Sequence, residues 1–336
     1  MKLLVSFVLF AASFAFAAPN AYKVIGKIQI GGEGGWDYLT VDSAARRVYV
    51  SHATKVVVVD MDSEKVVGEI ADTPGVHGIA IAPKLGRGYV SNGRGNNVSV
   101  FDLSTLKTLE LVATGQNPDA ILYDAVSNKV FTFNGRSQDS TVIDAATNKV
   151  VATIPLGGKP EFPQTDGKGK VWVNIEDTHE MAEIDTAKNV VTKRYDLTGC
   201  EDPSGLALDP KNLRLFSVCA NKVMVISDPS AGKVVATLPI GAGSDGAGFD
   251  PGAGLAFSSN GGDATVTVVG LEGGQYKVVA TVPTERGART MAVDPKTHKL
   301  YLPTAEFGPA PEAKEGKKQG RPPMLPGTFH LVVVGQ

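Results

Sequence analysis

Cysteine is scarce: it occurs twice in 336 residues, as Cys200 and Cys219. There is no Cys-x-x-Cys-His run for covalent haem and no paired Cys-x-x-Cys spacing for a zinc ribbon. His-Glu-x-x-His is missing, which removes the helix-borne zinc site, and so is Gly-x-Ser-x-Gly, which removes the serine-hydrolase elbow. Neither sign of charge dominates. The formal net charge is -2, so no global basic field attracts nucleic acid or anionic lipid. Basic residues are scattered, often beside acids, and do not form the stripe that single-stranded nucleic acid needs. A helical hydrophobic period of useful length is also absent.

Long apolar runs are confined to the N-terminus. Lys2 supplies a positive charge, Leu3 to Phe16 is mostly apolar, and Ala15-Phe16-Ala17 fits a small-x-small cleavage site before Ala18. This predicts a signal peptide over 1–17. The run is short for a spanning helix and no later one approaches 18 residues, so the expected mature protein, 18–336, is periplasmic or secreted with no membrane span. In that oxidising space two cysteines read first as a disulfide, with two separate buried thiols as the alternative on spacing alone.

What the sequence has in quantity is a repeat. Asp42, Ala82, Asp124, Asp166, Asp209, Asp250 and Asp294 each end a strand-like segment, at spacings of 40, 42, 42, 43, 41 and 44. The unit is clearest from Trp36 to Ile70, four short β-branched runs joined by turn residues. An aromatic recurs in the second run: Tyr49, Tyr89, Phe131, Trp172, Phe216, Phe257, Tyr301. The fourth recurs as Lys149–Ile154 and Lys233–Leu238. Seven units of 40–45 residues with four strands each predict an all-β, seven-bladed β-propeller, WD40-like in period and monomeric. The last unit lacks its fourth strand. Tyr22–Ile28 has that pattern, so 21–30 is expected to complete the last blade and close the ring. Residues 308–327, rich in Pro, Gly and charge, interrupt the last unit and read as a flexible insertion or a flap over the channel.

Tyr49-Val50-Ser51-His52 and Tyr89-Val90-Ser91-Asn92 resemble the Tyr-Val-Thr-Asn strand motif of the YVTN repeat. With the Lys-Val-Val-Ala-Thr-Ile-Pro strand and the N-terminal segment, the mature chain resembles the YncE-like secreted seven-bladed propellers. The resemblance implies the fold. Roles in that family differ, with links to nucleic-acid binding, cell-surface layers and redox-enzyme subunits, so it implies no one activity.

Reading the repeats in register shows where chemistry can gather. Five positions before each landmark stand Asp37, His77, Asp119, Glu161, Ser204, Asp245 and Arg289. Ten positions after stand His52, Asn92, Asn134, Glu176, Cys219, Asn260 and Thr304, with Ile175 an alternative to Glu176 because that blade has a shorter turn. The first set is polar throughout while its residue types differ, as a tailored site would, although a solvated rim is polar too. The expected ligand-binding set at one channel mouth is Asp37, His52, His77, Asp119, Glu161, Glu176, Asp245 and Arg289. Asp37, His52, His77 and Asp119 are candidate ligands of a divalent cation. Arg289 is placed to clamp an anion or to pair with Asp245 or Asp37. Cys200 and Cys219 fall on the same face of one blade, which favours their disulfide.

Gly241–Gly246 matches Gly-x-Gly-x-x-Gly but opens no helix and reads as a loop. Asp60-Met61-Asp62 lacks the rest of a calcium loop. His179 and His298 fall in turns, as solvated side chains. The expected function is a binding or interaction protein using the acidic, His-containing mouth for a small ligand or protein partner. The alternatives are a metal-dependent hydrolase or lactonase, a partner subunit of a periplasmic redox enzyme, and a nucleic-acid-binding propeller.

Overall fold

The computed structural model describes residues 22–311 and 322–336, so the expected signal peptide and the middle of the 308–327 insertion lie outside the described residues. Among those residues the regular structure is 28 strands and one short 3-10 turn, Pro83–Leu85. The strands form seven four-stranded antiparallel sheets. They are the blades of a β-propeller, as the repeat predicts. Blade 1 is Trp36–Asp42, Arg47–His52, Lys55–Asp60 and Lys65–Ile70, in that order outward from the channel.

The ring closes with one strand from each end of the chain. In the last blade Lys23–Gln29 pairs with His330–Gly335, beside Lys299–Thr304 and Ala292–Asp294. The closing register runs from Lys23 opposite Gly335 to Gln29 opposite His330. Closure leaves no unpaired strand edge between first and last blades.

The core lies between blades rather than within them. Seven hydrophobic clusters each join two neighbouring blades, and the one between blades 3 and 4 also takes in Tyr38 of blade 1. Tyr49 of blade 1, for example, packs with Val76, Ile79 and Phe101 of blade 2. All seven second-strand aromatics are buried. Burying a side chain of this size contributes roughly 2–3 kcal/mol.

The landmark aspartates hold the turns on one face. Asp42 Oδ1 accepts from the Ala44 and Ala45 amides, and Asp209 and Asp250 make the same turn in their blades. At the third-to-fourth strand turns Asp60, Asp102, Asp144, Asp185 and Asp228 act likewise. These Asx turns fix the blade ends without helices. The opposite face carries the ring residues. There Cys200 and Cys219 form a disulfide with Cα atoms 5.4 Å apart. A bridge closing a loop of this length contributes about 3 kcal/mol.

Candidate functional site

In the first six blades the residue that begins the inner strand pairs with the end of its neighbour, as Trp36 does with His52 and Val76 with Asn92. The ladder then slips before pairing resumes at Leu39, Ile79, Ile121, Pro163 and Leu206. The ring residues Asp37, His77, Asp119, Glu161 and Ser204 fall inside these slips. A bulge of this kind breaks the two-residue alternation and re-aims a side chain. One backbone device, repeated by the fold, thus delivers a different side chain from each of these five blades.

The structure brings these side chains together. His77 Nδ1 lies 2.6 Å from Asp37 Oδ2 and 3.5 Å from Asp119 Oδ1. Arg289 Nε donates to Asp245 Oδ2 at 2.9 Å, and its Nη2 lies 3.5 Å from Asp37 Oδ1. Both expected arginine pairings therefore occur. Across the ring Lys159 Nζ pairs with Glu161 Oε1 at 2.8 Å and with Glu176 Oε2. Ile175, opposite Pro160, holds the register position, and Glu176 reaches the mouth through Lys159.

Charge is layered by depth. The side chains of Asp37, Asp119 and Glu161 are 17%, 14% and 9% exposed, whereas those of Arg289 and Lys159 are 37% and 40% exposed. Asp37, Asp119 and Glu161 lie deepest, Asp245 and Glu176 are 30% and 29% exposed, and the two cations are the most exposed. Burial and the charge of Asp37 raise the pKa of Asp119. Burial and the charge of Asp119 raise that of Glu161, against the pull of Lys159. Burial would lower the pKa of His77, but the Asp37 hydrogen bond and the nearby carboxylates outweigh it and raise the imidazole to about 9.

An aromatic pair lies against the acids. Tyr38 of blade 1 meets Phe162 of blade 4, ring centroids 4.9 Å apart, and its hydroxyl points at Glu161 Oε2 at 3.4 Å. Corresponding positions in the other blades are Gly78, Ala120, Gly205, Gly246 and Thr290. At Gly205 a Cβ would come within 2.7 Å of the Ala247 amide of the next blade, so small residues there let inner strands touch.

His52 does not join the cluster, contrary to its expected role as a cation ligand. It is buried, stacked on Phe329 at 4.1 Å, and neither ring nitrogen has a partner among the described residues. Burial, then the charge of Lys55, lowers its pKa. The same register position in other blades is a buried structural amide: Asn92, Asn134 and Asn260 donate to Ser99, Thr141 and Thr267. In blade 1 the facing residue is Val57, which offers no acceptor. His298 and His179 are not free either, contacting Asp250 at 2.7 Å and Asp202 at 3.4 Å.

The lip is partly built by residues 29–36 and the ends of the 308–327 insertion. Phe307 bridges Met324, Gly308 donates to Pro323, and Gly327 donates to Gly32. Trp36 lies beneath, between Phe329 and Phe307, with the Arg289 guanidinium 5.9 Å from its ring. A cleft of about 780 Å3 lies elsewhere, bordered by Glu180, Arg194, Tyr195 and Lys233. It draws on two blades only. Charged side chains from six blades meet at the mouth.

Sequence reasoning missed Lys159, Tyr38 and Phe162. A signal for the aromatics existed: one position past the ring, five blades carry Gly, Ala or Thr and two carry a large ring.

The family described as a domain of unknown function, DUF5074, matches residues 44–213. No curated protein matches the sequence. Among solved structures, a chain of Kuenenia stuttgartiensis hydrazine synthase is similar with a TM-score of 0.68 at 19% identity, covering 80% of this chain and 92% of that one. At that identity the likeness is one of fold. No helix among the described residues is long and apolar enough to cross a membrane.

Proposed function

The chain belongs to the DUF5074 family, and from that premise we propose that it is an exported propeller of the YncE-like kind that binds a small polar ligand at one channel mouth. The observation that carries this reading is the Tyr38–Phe162 contact, which joins blades 1 and 4 beside the ionisable ring and supports a closed cup in place of an open pore. The walls of that cup are ionisable. Deep acids with cations at the lip suit a ligand whose cationic or metal centre enters first and whose anionic part stays near Arg289 and Lys159. Such a ligand replaces the internal ion pairs with its own, so little desolvation energy is lost.

Export is supported by the N-terminal pattern of 1–17 and by the Cys200–Cys219 bridge, which suits an oxidising compartment. The YncE-like placement is supported by the Tyr-Val-Ser strands of blades 1 and 2.

Thermal-shift screening of the mature chain, 18–336, against amino acids, polyamines, sugar acids and nucleosides tests the reading. One class is expected to raise the melting temperature, with affinity falling at least about tenfold in Glu161→Gln and Arg289→Gln, a loss of about 1.4 kcal/mol. A stabilising compound whose effect survives both substitutions, or no stabilising compound at all, would sink it.

A further inference from the structure

We propose that Asp37, His77 and Asp119 form a binding site for one divalent transition-metal ion, with its open coordination positions turned toward the mouth. The inference takes only the location of the cup from the reading above. Among the described residues these side chains form the one group of three potential donors, with one ligand atom of each within 4.8 Å of the others. A single ion with bonds of about 2.0–2.2 Å holds donors at most ~4.4 Å apart, so only small side-chain movements are required.

Three consecutive blades supply the donors, one from each bulge. Their backbones are pinned from outside the cluster. The Asp37 amide donates to Ser51 Oγ at 2.8 Å, and its carbonyl accepts from Thr290 Oγ1 at 2.8 Å. Buried Ser91 accepts from the Gly78 amide and donates to the Asp119 carbonyl, tying the second donor strand to the third. Arg289 approaches Oδ1 of Asp37, while Oδ2 faces His77. Outer contacts of this kind orient ligands in metal sites. His77 needs Gly93: a Cβ there would stand 2.6 Å from its Nε2.

Asp119 points to an occupant most directly. Its carboxylate is 14% exposed and accepts no hydrogen bond among the described residues; its one ion-pair contact is His77 Nδ1 at 3.5 Å. A carboxylate this sheltered ordinarily has donors around it. Here the space is shared with a second carboxylate and an imidazole.

The donor set selects the ion. Two carboxylates neutralise a divalent charge, and one imidazole favours zinc, or cobalt in its place, over the weaker-binding manganese. Calcium wants six to eight oxygens, which three side chains do not offer. Three protein ligands with the rest open is the pattern of sites that bind water or an exogenous ligand.

Chelator-treated mature chain titrated with Zn2+, Co2+, Mn2+ and Ca2+ by calorimetry, with Co2+ absorption as a coordination readout, tests this. One Zn2+ or Co2+ per chain is expected, with Ca2+ at least 100-fold weaker. His77→Gln and Asp119→Asn should each weaken Zn2+ at least tenfold, and His179→Gln should leave it unchanged. Circular dichroism checks that the variants fold, and Ser91→Ala provides a second route by loosening the backbone pins without touching a ligand. No stoichiometric Zn2+ or Co2+ in the wild type, or binding indifferent to both ligand variants, overturns the site. The two proposals fail separately. A small ligand bound by protein that takes up no Zn2+ or Co2+ removes the metal and keeps the cup, whereas metal bound with no small-molecule partner does the reverse.

Discussion

Tyr38 sits where burial and four carboxylates act on one phenol. Burial above all, then the charges of Asp119, Glu161, Asp37 and Asp245, hold its pKa well above the ordinary phenol value. It is a neutral donor facing Glu161, and its ring is packing. These two roles separate by substitution. Tyr38→Phe removes only the hydroxyl and is expected to cost about 1 kcal/mol. Tyr38→Ala removes half the aromatic pair and is expected to cost about 3–5 kcal/mol, read as a shift in the urea midpoint at unchanged slope. Equal effects would mean that the ring is not packed against Phe162. Tyr38 also marks the limit of the sequence at this scale. Alternation along a strand sends neighbouring residues to opposite faces. Placing Asp37 at the mouth therefore argued against placing Tyr38 there. The bulge breaks the alternation, and bulges leave no residue signature in this repeat. Lys159 was missed for a related reason: it belongs to a connector, where no register applies. His52 failed in the other direction. It kept its register position, but that position faces the blade interior, as the buried asparagines of other blades show.

Blades are joined by polar clamps as well as by apolar layers, and the seam between last and first blades has a buried charged one. Asp294 of the last blade has a fully buried carboxylate. It accepts from Ser43 at 2.5 Å, from Arg46 at 2.8 Å and from Thr297 at 2.6 Å, the first two from blade 1. Burial alone would raise its pKa. The Ser43, Thr297 and Arg46 contacts outweigh that and lower it to about 2. An unfolded aspartate titrates near ~3.9, so the folded state binds the proton less readily. The clamp therefore contributes roughly 2–3 kcal/mol, fully present above pH ~4 and lost as pH falls toward 2. Asp294→Asn should remove this dependence: the stability difference from wild type, measured by urea unfolding at pH 2.5 to 7, should shrink steadily below pH 4. A constant difference across that range would show that the carboxylate charge is not what the seam uses. At the scale of elements the sequence was most legible. The landmark aspartates, the strand aromatics and the Cys200–Cys219 bridge could be aligned because seven copies repeat the same turn and packing problem. Why Asp294 binds across the seam was not legible, since a pairing between repeats leaves no trace in either one.

In the whole molecule the first and last parts of the chain depend on each other. Lys23–Gln29 covers the edge of His330–Gly335, whose Leu331, Val332, Val333 and Val334 are buried. It also brings Ile28 into the cluster between the last and first blades. Tyr22 packs edge-on against Phe257 of blade 6, centroids 5.2 Å apart. Removing residues up to Gln29 strips these contacts at once. Two large side chains alone are worth about 4–6 kcal/mol, and the exposed strand becomes a pairing template. The truncated chain is expected to melt at a clearly lower temperature and to associate, as read by calorimetry and by light scattering during size-exclusion chromatography. Loss of any terminal stretch of this length could lower stability, so the decisive form is a permutation. Moving residues 22–29 to follow Gln336 through a short flexible linker supplies the same strand from the other end. If closure is what stabilises the ring, this chain should melt within a few degrees of the parent and stay monodisperse. If the permuted chain behaves like the truncated one, the N-terminal strand matters for the order in which the chain folds, and the closed ring is not the source of its stability.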